Sequence, residues 1–157
     1  MAILISVLAL LATFYQLHLQ RVHNEKSLKP LGQIELPDHN KQLAVHIRNN
    51  GLGPLLIDRL TFVQHGQSYT AIDDCLALEP RSYMRVTIDD TVKRVILPHA
   101  YLVVFETRFD EHEREADINC VRKQLASITL TVEGRDMYDN HIVLTRNFNW
   151  FSRYLTE

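Results

Sequence analysis

The most constraining feature of this chain lies at its start. Residues 2–15 read AILISVLALLATFY, fourteen positions without a charge. If Gln16, His18 and Gln20 are tolerated, the uncharged run reaches residue 20, and Arg21 is the first charged side chain. As a helix at 1.5 Å per residue, residues 2–20 span ~28 Å, close to the ~30 Å hydrocarbon thickness of a bilayer. A cleaved signal peptide wants a basic leader and an A-x-A-like cleavage site, and neither occurs here. A buried core helix would show one apolar stripe, whereas this segment is apolar all round. A single transmembrane helix over residues 1–20 is the expectation, with Tyr15 and His18 near its exit. Arg21, Lys26 and Lys29 follow the run and no Lys or Arg precedes it, so the positive-inside rule puts the rest of the chain in the cytoplasm.

The remainder is long enough for one domain and no more. Residues 21–30 (RVHNEKSLKP) form a polar connector, and Pro30 ends any helix near residues 24–27. From residue 31 to 157 the pattern is β. In 41–48, Leu43, Val45 and Ile47 alternate with Gln42, Ala44, His46 and Arg48, the period of a half-buried strand. Further strands are expected over 33–36, 55–64, 68–71, 83–88, 101–108, 124–133 and 141–148. Hairpins or turns join them at His65-Gly66-Gln67, at 79–82 and at 134–140. One or two helical turns are expected within 73–78 and 109–123. Seven or eight short strands at this spacing read as an antiparallel β-sandwich.

Three motifs resemble a known group. The first is N-x-G-L-G-P between two strands, here Asn49, Gly51, Leu52, Gly53 and Pro54. The second is the connector R-x-H-N-x-x-S-x-x-P, here Arg21, His23, Asn24, Ser27 and Pro30. The third is the closing hairpin with its Tyr-containing turn, ITLTVEGRDMYDNHIVLTRNFNWF. Together they make the chain similar to a widespread group of uncharacterised bacterial membrane-anchored proteins. That resemblance implies an immunoglobulin-like β-sandwich behind an anchor, and it implies no activity. Read from the residues alone, Asn49, Gly51, Gly53 and Pro54 form a structural turn. The glycines permit φ > 0 or close backbone approach, Pro54 fixes φ, and Asn side chains bond their own backbone two residues on.

Chemical motifs are scarce. Seventeen Lys and Arg against nineteen Asp and Glu leave no basic footprint for nucleic acid. The eight histidines form no HExxH or HxH, and Cys75 and Cys120 form no CxxC, so no metal or cofactor is expected. His46 and His65 come together only if their strands pair. The two thiols are bridged or free; their spacing does not decide. No G-x-S-x-G elbow or phosphate loop occurs. Two features stand out as surface. Residues 110–117 (DEHEREAD) carry Asp110, Glu111, Glu113, Glu115 and Asp117 without the spacing of a calcium loop. The C-terminal end carries Trp150, Phe151 and Tyr154, which pack an end of the sandwich or form a contact patch. The favoured function is a membrane-anchored, non-enzymatic module that binds a protein partner or serves as an accessory subunit. The competing reading is a small ligand-binding or enzymatic domain with a site built from dispersed His, Asp and Cys residues.

Overall fold

The structure is a computed structural model that describes residues 2–78, 82–85 and 93–155. In chain order it contains α1 (Ala2–Ser27), β1 (Gly32–Glu35), β2 (Asp38–His39), β3 (Gln42–Asn49), β4 (Leu55–Gln64), β5 (Gln67–Tyr69), β6 (Met84–Arg85), β7 (Arg94–Ile96), β8 (Tyr101–Arg108), α2 (Glu115–Ala126), β9 (Ile128–Arg135) and β10 (His141–Asn147). Single 3-10 segments lie at Ile72–Cys75 and Asn149–Tyr154.

Helix α1 is 26 residues long and buries none of them. It is long and apolar enough to cross a membrane. The hydroxyls of Ser6 and Thr13 need no outside partner: Ser6 Oγ donates to the Ala2 carbonyl at 3.0 Å and Thr13 Oγ1 to the Ala9 carbonyl at 2.9 Å, bonds back to the preceding turn. The helix runs through most of the expected connector and stops at Ser27. Pro30 lies three residues beyond, and Leu28 N–H closes the last turn on the Asn24 carbonyl at 3.0 Å.

The rest of the chain is mainly β, in two antiparallel sheets. One has the order β1-β3-β8-β6 with β2 also on β3; the other has the order β10-β9-β4-β5 with β7 also on β4. Leu43, Val45, Ile47 and Phe105 from the first sheet share one hydrophobic core with Leu55, Ile57, Phe62, Leu130 and Val132 from the second. Two-residue turns set two registers. Asn40 and Lys41 (φ 49° and 55°) join β2 to β3, and His65 and Gly66 (φ 50° and 80°) join β4 to β5. Paired positive φ values of this kind match the twist of the flanking strands.

Two expectations change, and a third falls partly outside the described residues. The strand placed at 124–133 starts only at Ile128, because residues 115–126 are α2. That helix buries Ile118, Val121, Arg122 and Leu125, a helical i, i+3, i+4, i+7 stripe in which an arginine takes one apolar place. Strand β3 does not alternate between core and solvent. Ala44 and His46 are buried as well as Leu43, Val45 and Ile47, and the pairing with β8 shifts between Val45 and His46, which marks a bulge. The strand at 83–88 is described only as far as Arg85; its remainder and the turn at 79–81 lie outside the described residues.

Candidate functional site

The exit of α1 meets the domain at the Asn49–Pro54 turn. Asn49 is fully buried, and its side chain uses both ends. Its Oδ1 accepts the N–H of Leu31 at 3.2 Å and of Gly51 at 3.0 Å. Its Nδ2 donates to the carbonyls of Gly53 at 2.7 Å and Ile96 at 3.1 Å. One amide thus joins the connector, the turn and β7. Its backbone adds Asn49 N–H to the Ala100 carbonyl at 2.9 Å and His99 N–H to the Asn49 carbonyl at 2.8 Å.

Gly51 and Gly53 serve close approach. The only glycine with positive φ among those described is Gly66. A Cβ on Gly51 would strike the Leu31 nitrogen and the Lys29 carbonyl, and one on Gly53 would overlap the Leu28 carbonyl. The two glycines are the floor on which the backbone of residues 28–31 lies. Asn50 N–H completes the seam by donating to the Leu31 carbonyl at 2.8 Å.

A second contact holds the helix end itself. The β9–β10 turn is organised by Asp136, which is buried and accepts from Tyr138 N–H (2.8 Å), Asn140 N–H (2.9 Å) and Asn140 Nδ2 (2.8 Å). Burial pushes this carboxyl up, but the donors from Asn140 and Tyr138, with Lys29 nearby, outweigh it and hold it below its ordinary range. Asn140 Nδ2 also reaches Glu25 on α1 at 3.4 Å.

The acidic segment and the aromatic end, forty residues apart in sequence, are neighbours in space. Arg122 of α2 donates to Asp38 through Nε at 3.1 Å and Nη2 at 2.8 Å. The Asp38 side chain is 1% exposed. Arg122 also binds Glu115 and Asn119 and sits over the Tyr154 ring. The hydrogen bonds it donates to Asp38 hold its guanidinium above the usual range. Arg153 adds a contact to Asp38 and stacks on Trp150 and Tyr154. Much of the acidic run is already engaged: Glu113 accepts Asp110 N–H, Asp117 pairs with Arg114, and Lys41 Nζ gathers the carbonyls of Asp110, Glu111 and Glu113. Trp150 and Tyr154 stay about half exposed, but Phe151 is fully buried, edge-on to Phe148. Phe151 is therefore core and not part of any exposed patch; the 3-10 segment rotates it inward between its two exposed neighbours.

The dispersed polar residues do not converge. His46 lies in β3 of one sheet and His65 in the β4–β5 turn of the other, so the two do not meet through pairing. Cys75 and Cys120 are both free, the first buried and the second exposed. No group of three His, Cys, Asp or Glu side chains suited to a metal ion occurs among the described residues. Asp73 binds Tyr83 Oη at 2.7 Å and pairs with Arg85, a link between a 3-10 segment and β6. His46 is the one buried histidine: it stacks on Tyr101 with centroids 4.7 Å apart. Its Nε2 lies 3.5 Å from Glu106 Oε2 without making a hydrogen bond.

Sequence reading missed Asp38, Arg122, Asp136 and the reach of Asn49. Arg122 carried a signal, a cation inside a helical apolar stripe. Asp136 carried a weaker one, an Asp opening a turn that ends in Asn. No protein-family model matches the chain, and no curated protein matches it in sequence.

Proposed function

We propose that this chain is a single-pass membrane protein whose β domain is a non-enzymatic interaction or accessory module on the cytoplasmic side. The observation that carries this reading is α1, an apolar helix of 26 residues with none buried. Such a surface in water is unfavourable in proportion to its area, and nothing among the described residues buries it. A removable signal sequence passes the same length test. Against it stands the continuity of α1 into a connector that Asn49, Gly51 and Gly53 hold against the domain. An immunoglobulin-like arrangement of the two sheets, and kinship with the bacterial group bearing the N-x-G-L-G-P turn, belong to the same proposal. The interaction surface is the neighbourhood of the acidic residues 110–117 with Trp150 and Tyr154, where half-exposed aromatics sit beside charge.

Membrane fractionation tests the anchor. The full chain is expected to pellet with membranes and to resist an alkaline wash. Leu10→Arg at mid-span costs ~2.5–3.5 kcal/mol on insertion scales and should release or eliminate the protein. Recovery of the full chain as a soluble species, or a mature protein beginning beyond residue 20, would overturn the reading. Orientation is tested with the native thiols. Burial pushes the Cys75 thiol up to about 11, so it is a poor nucleophile, while Cys120 is exposed. An impermeant maleimide should label nothing on intact cells and one thiol per chain once they are opened. Labelling of intact cells would place the domain outside. Affinity capture from detergent-solubilised membranes, read by mass spectrometry, then identifies the partner.

A further inference from the structure

The end of α1 and the β9–β10 turn enclose a cavity of about 410 Å³. Val22, Glu25, Lys26 and Lys29 wall one side, with Asn140 and His141 on the other. Its height is set by the anchor. Val22 and Lys26 lie two and six residues beyond Gln20, ~3–9 Å along the helix axis. The polar layer of a bilayer adds roughly 5–8 Å beyond the hydrocarbon on each side. The cavity therefore opens at the depth of lipid headgroups.

Its charges are of both signs and partly free. Lys26 and Lys29 make no ion pair among the described residues, and Glu25 has only the long 3.4 Å contact from Asn140. Asp136 also borders the cavity, but three donors already occupy its carboxylate. The Asp136 charge stays beside Lys29, so what remains open to new hydrogen bonds is the ammonium groups of Lys26 and Lys29 and the carboxylate of Glu25, beside an apolar wall at Val22. That set complements a ligand with one phosphate and one cationic donor.

We propose that this cavity holds the headgroup of a membrane phospholipid bearing a phosphate and a primary ammonium, of the phosphoethanolamine class. The phosphate lies between Lys26 and Lys29, and the ammonium donates to Glu25. A phosphocholine headgroup keeps the phosphate but its quaternary nitrogen has no N–H to donate. A phosphoglycerol headgroup has no cation. The inference rests on α1 being a membrane anchor and adds a lipid preference to it.

The test is native mass spectrometry of the full chain in detergent micelles with equimolar phosphatidylethanolamine, phosphatidylcholine and phosphatidylglycerol of identical acyl chains. The wild type is expected to retain the ethanolamine lipid about fivefold over the other two, the order of one interfacial ion pair. Lys26→Gln with Lys29→Gln should lower retention of that lipid to the choline level. Glu25→Gln should abolish the preference for ethanolamine over glycerol lipid while leaving glycerol-lipid retention unchanged. Equal retention of the three lipids by the wild type overturns the proposal, as does a preference that survives both variants. Pelleting with membranes is measured first. A wild-type chain that fails to pellet refutes the anchor, whereas one that pellets without lipid preference refutes only the headgroup site. The three substituted side chains lie at the surface or its margin, and circular dichroism of each variant checks that the sheets persist.

Discussion

Asn49 and Asp38 are both buried polar residues that tie distant parts of the chain together, and they do it in opposite ways. The amide of Asn49 donates and accepts, so four backbone groups from three segments are satisfied with no charge enclosed. A carboxylate only accepts. Asp38 therefore draws in two cations, Arg122 from α2 and Arg153 from the C-terminal 3-10 segment. Those cations in turn engage Glu115, Asn119, Trp150 and Tyr154. The neutral hub closes on itself beneath the connector. The charged hub spreads to the surface and ends in half-exposed aromatics. The first suits a joint that must stay rigid; the second places adaptable chemistry where a partner can reach it.

The sharpest way to break the contrast is at Asn49. Asn49→Leu preserves bulk but orphans the N–H groups of Leu31 and Gly51 and the carbonyls of Gly53 and Ile96. At about 1–3 kcal/mol per buried unpaired group, with some relaxation, a loss on the order of 3–5 kcal/mol is expected. Thermal melting of the full chain in detergent micelles, followed by circular dichroism, measures it. Gly53→Ala should also destabilise, since its Cβ overlaps the Leu28 carbonyl. A melting temperature unchanged in both variants would mean that the seam under the connector contributes nothing.

Arg122 ranks next. Arg122→Met leaves the Asp38 carboxylate buried, with Arg153 at 3.6 Å as its remaining ion-pair partner. Removing one member of a buried pair costs ~3–5 kcal/mol, and the lower end is expected because Arg153 remains. Adding Asp38→Leu should recover most of the loss, because two apolar groups need no partner. Without that recovery, the arginine stabilises through its stacking on Tyr154 rather than through the carboxylate. Exposed pairs such as Arg114 with Asp117 provide the control, at up to ~1 kcal/mol each.

What the sequence made legible follows from the range of each interaction. Local signals were strong. The apolar run marked α1, alternation marked β3, and Asn-x-Gly-x-Gly-Pro marked a turn. The glycines of that turn left positive φ and close approach equally open, and residues 28–31, which make the approach, come from a separate stretch of chain. Asp38 and Arg122 stand 84 positions apart, and no local pattern announces such a pair. The alternation in β3 misled at His46 because a bulge and the stacked Tyr101 cover a face that period-two reasoning assigns to solvent. Phe151 misled for a related reason. A 3-10 turn places successive residues roughly 120° apart, so one of three adjacent aromatic or polar positions turns inward.

His46 supplies the smallest effect and a third kind of buried polar group, one whose charge depends on pH. Burial lowers its pKa below the ordinary 6.5, against the opposing pull of the Glu106 and Glu35 carboxylates and with a smaller push from Arg48. The histidine is neutral in the folded chain near pH 7. As the pH falls below 6.5, the unfolded chain takes up a proton that the folded chain refuses, so stability declines toward the folded pKa. Above 6.5 the two states bind the same number of protons at this site and the slope vanishes. Asp136, held below its ordinary value, acts in the same direction only at lower pH, below about 3.8, the unfolded reference. Urea midpoints of the full chain in micelles at pH 7.5 and 5.5 therefore isolate His46. The wild type should lose midpoint between the two, and His46→Gln should lose less, because glutamine keeps a polar side chain of similar reach without the proton. If the two midpoints fall in parallel, burial at β3 leaves His46 free to protonate. The division between neutral and charged hubs would then need no third member.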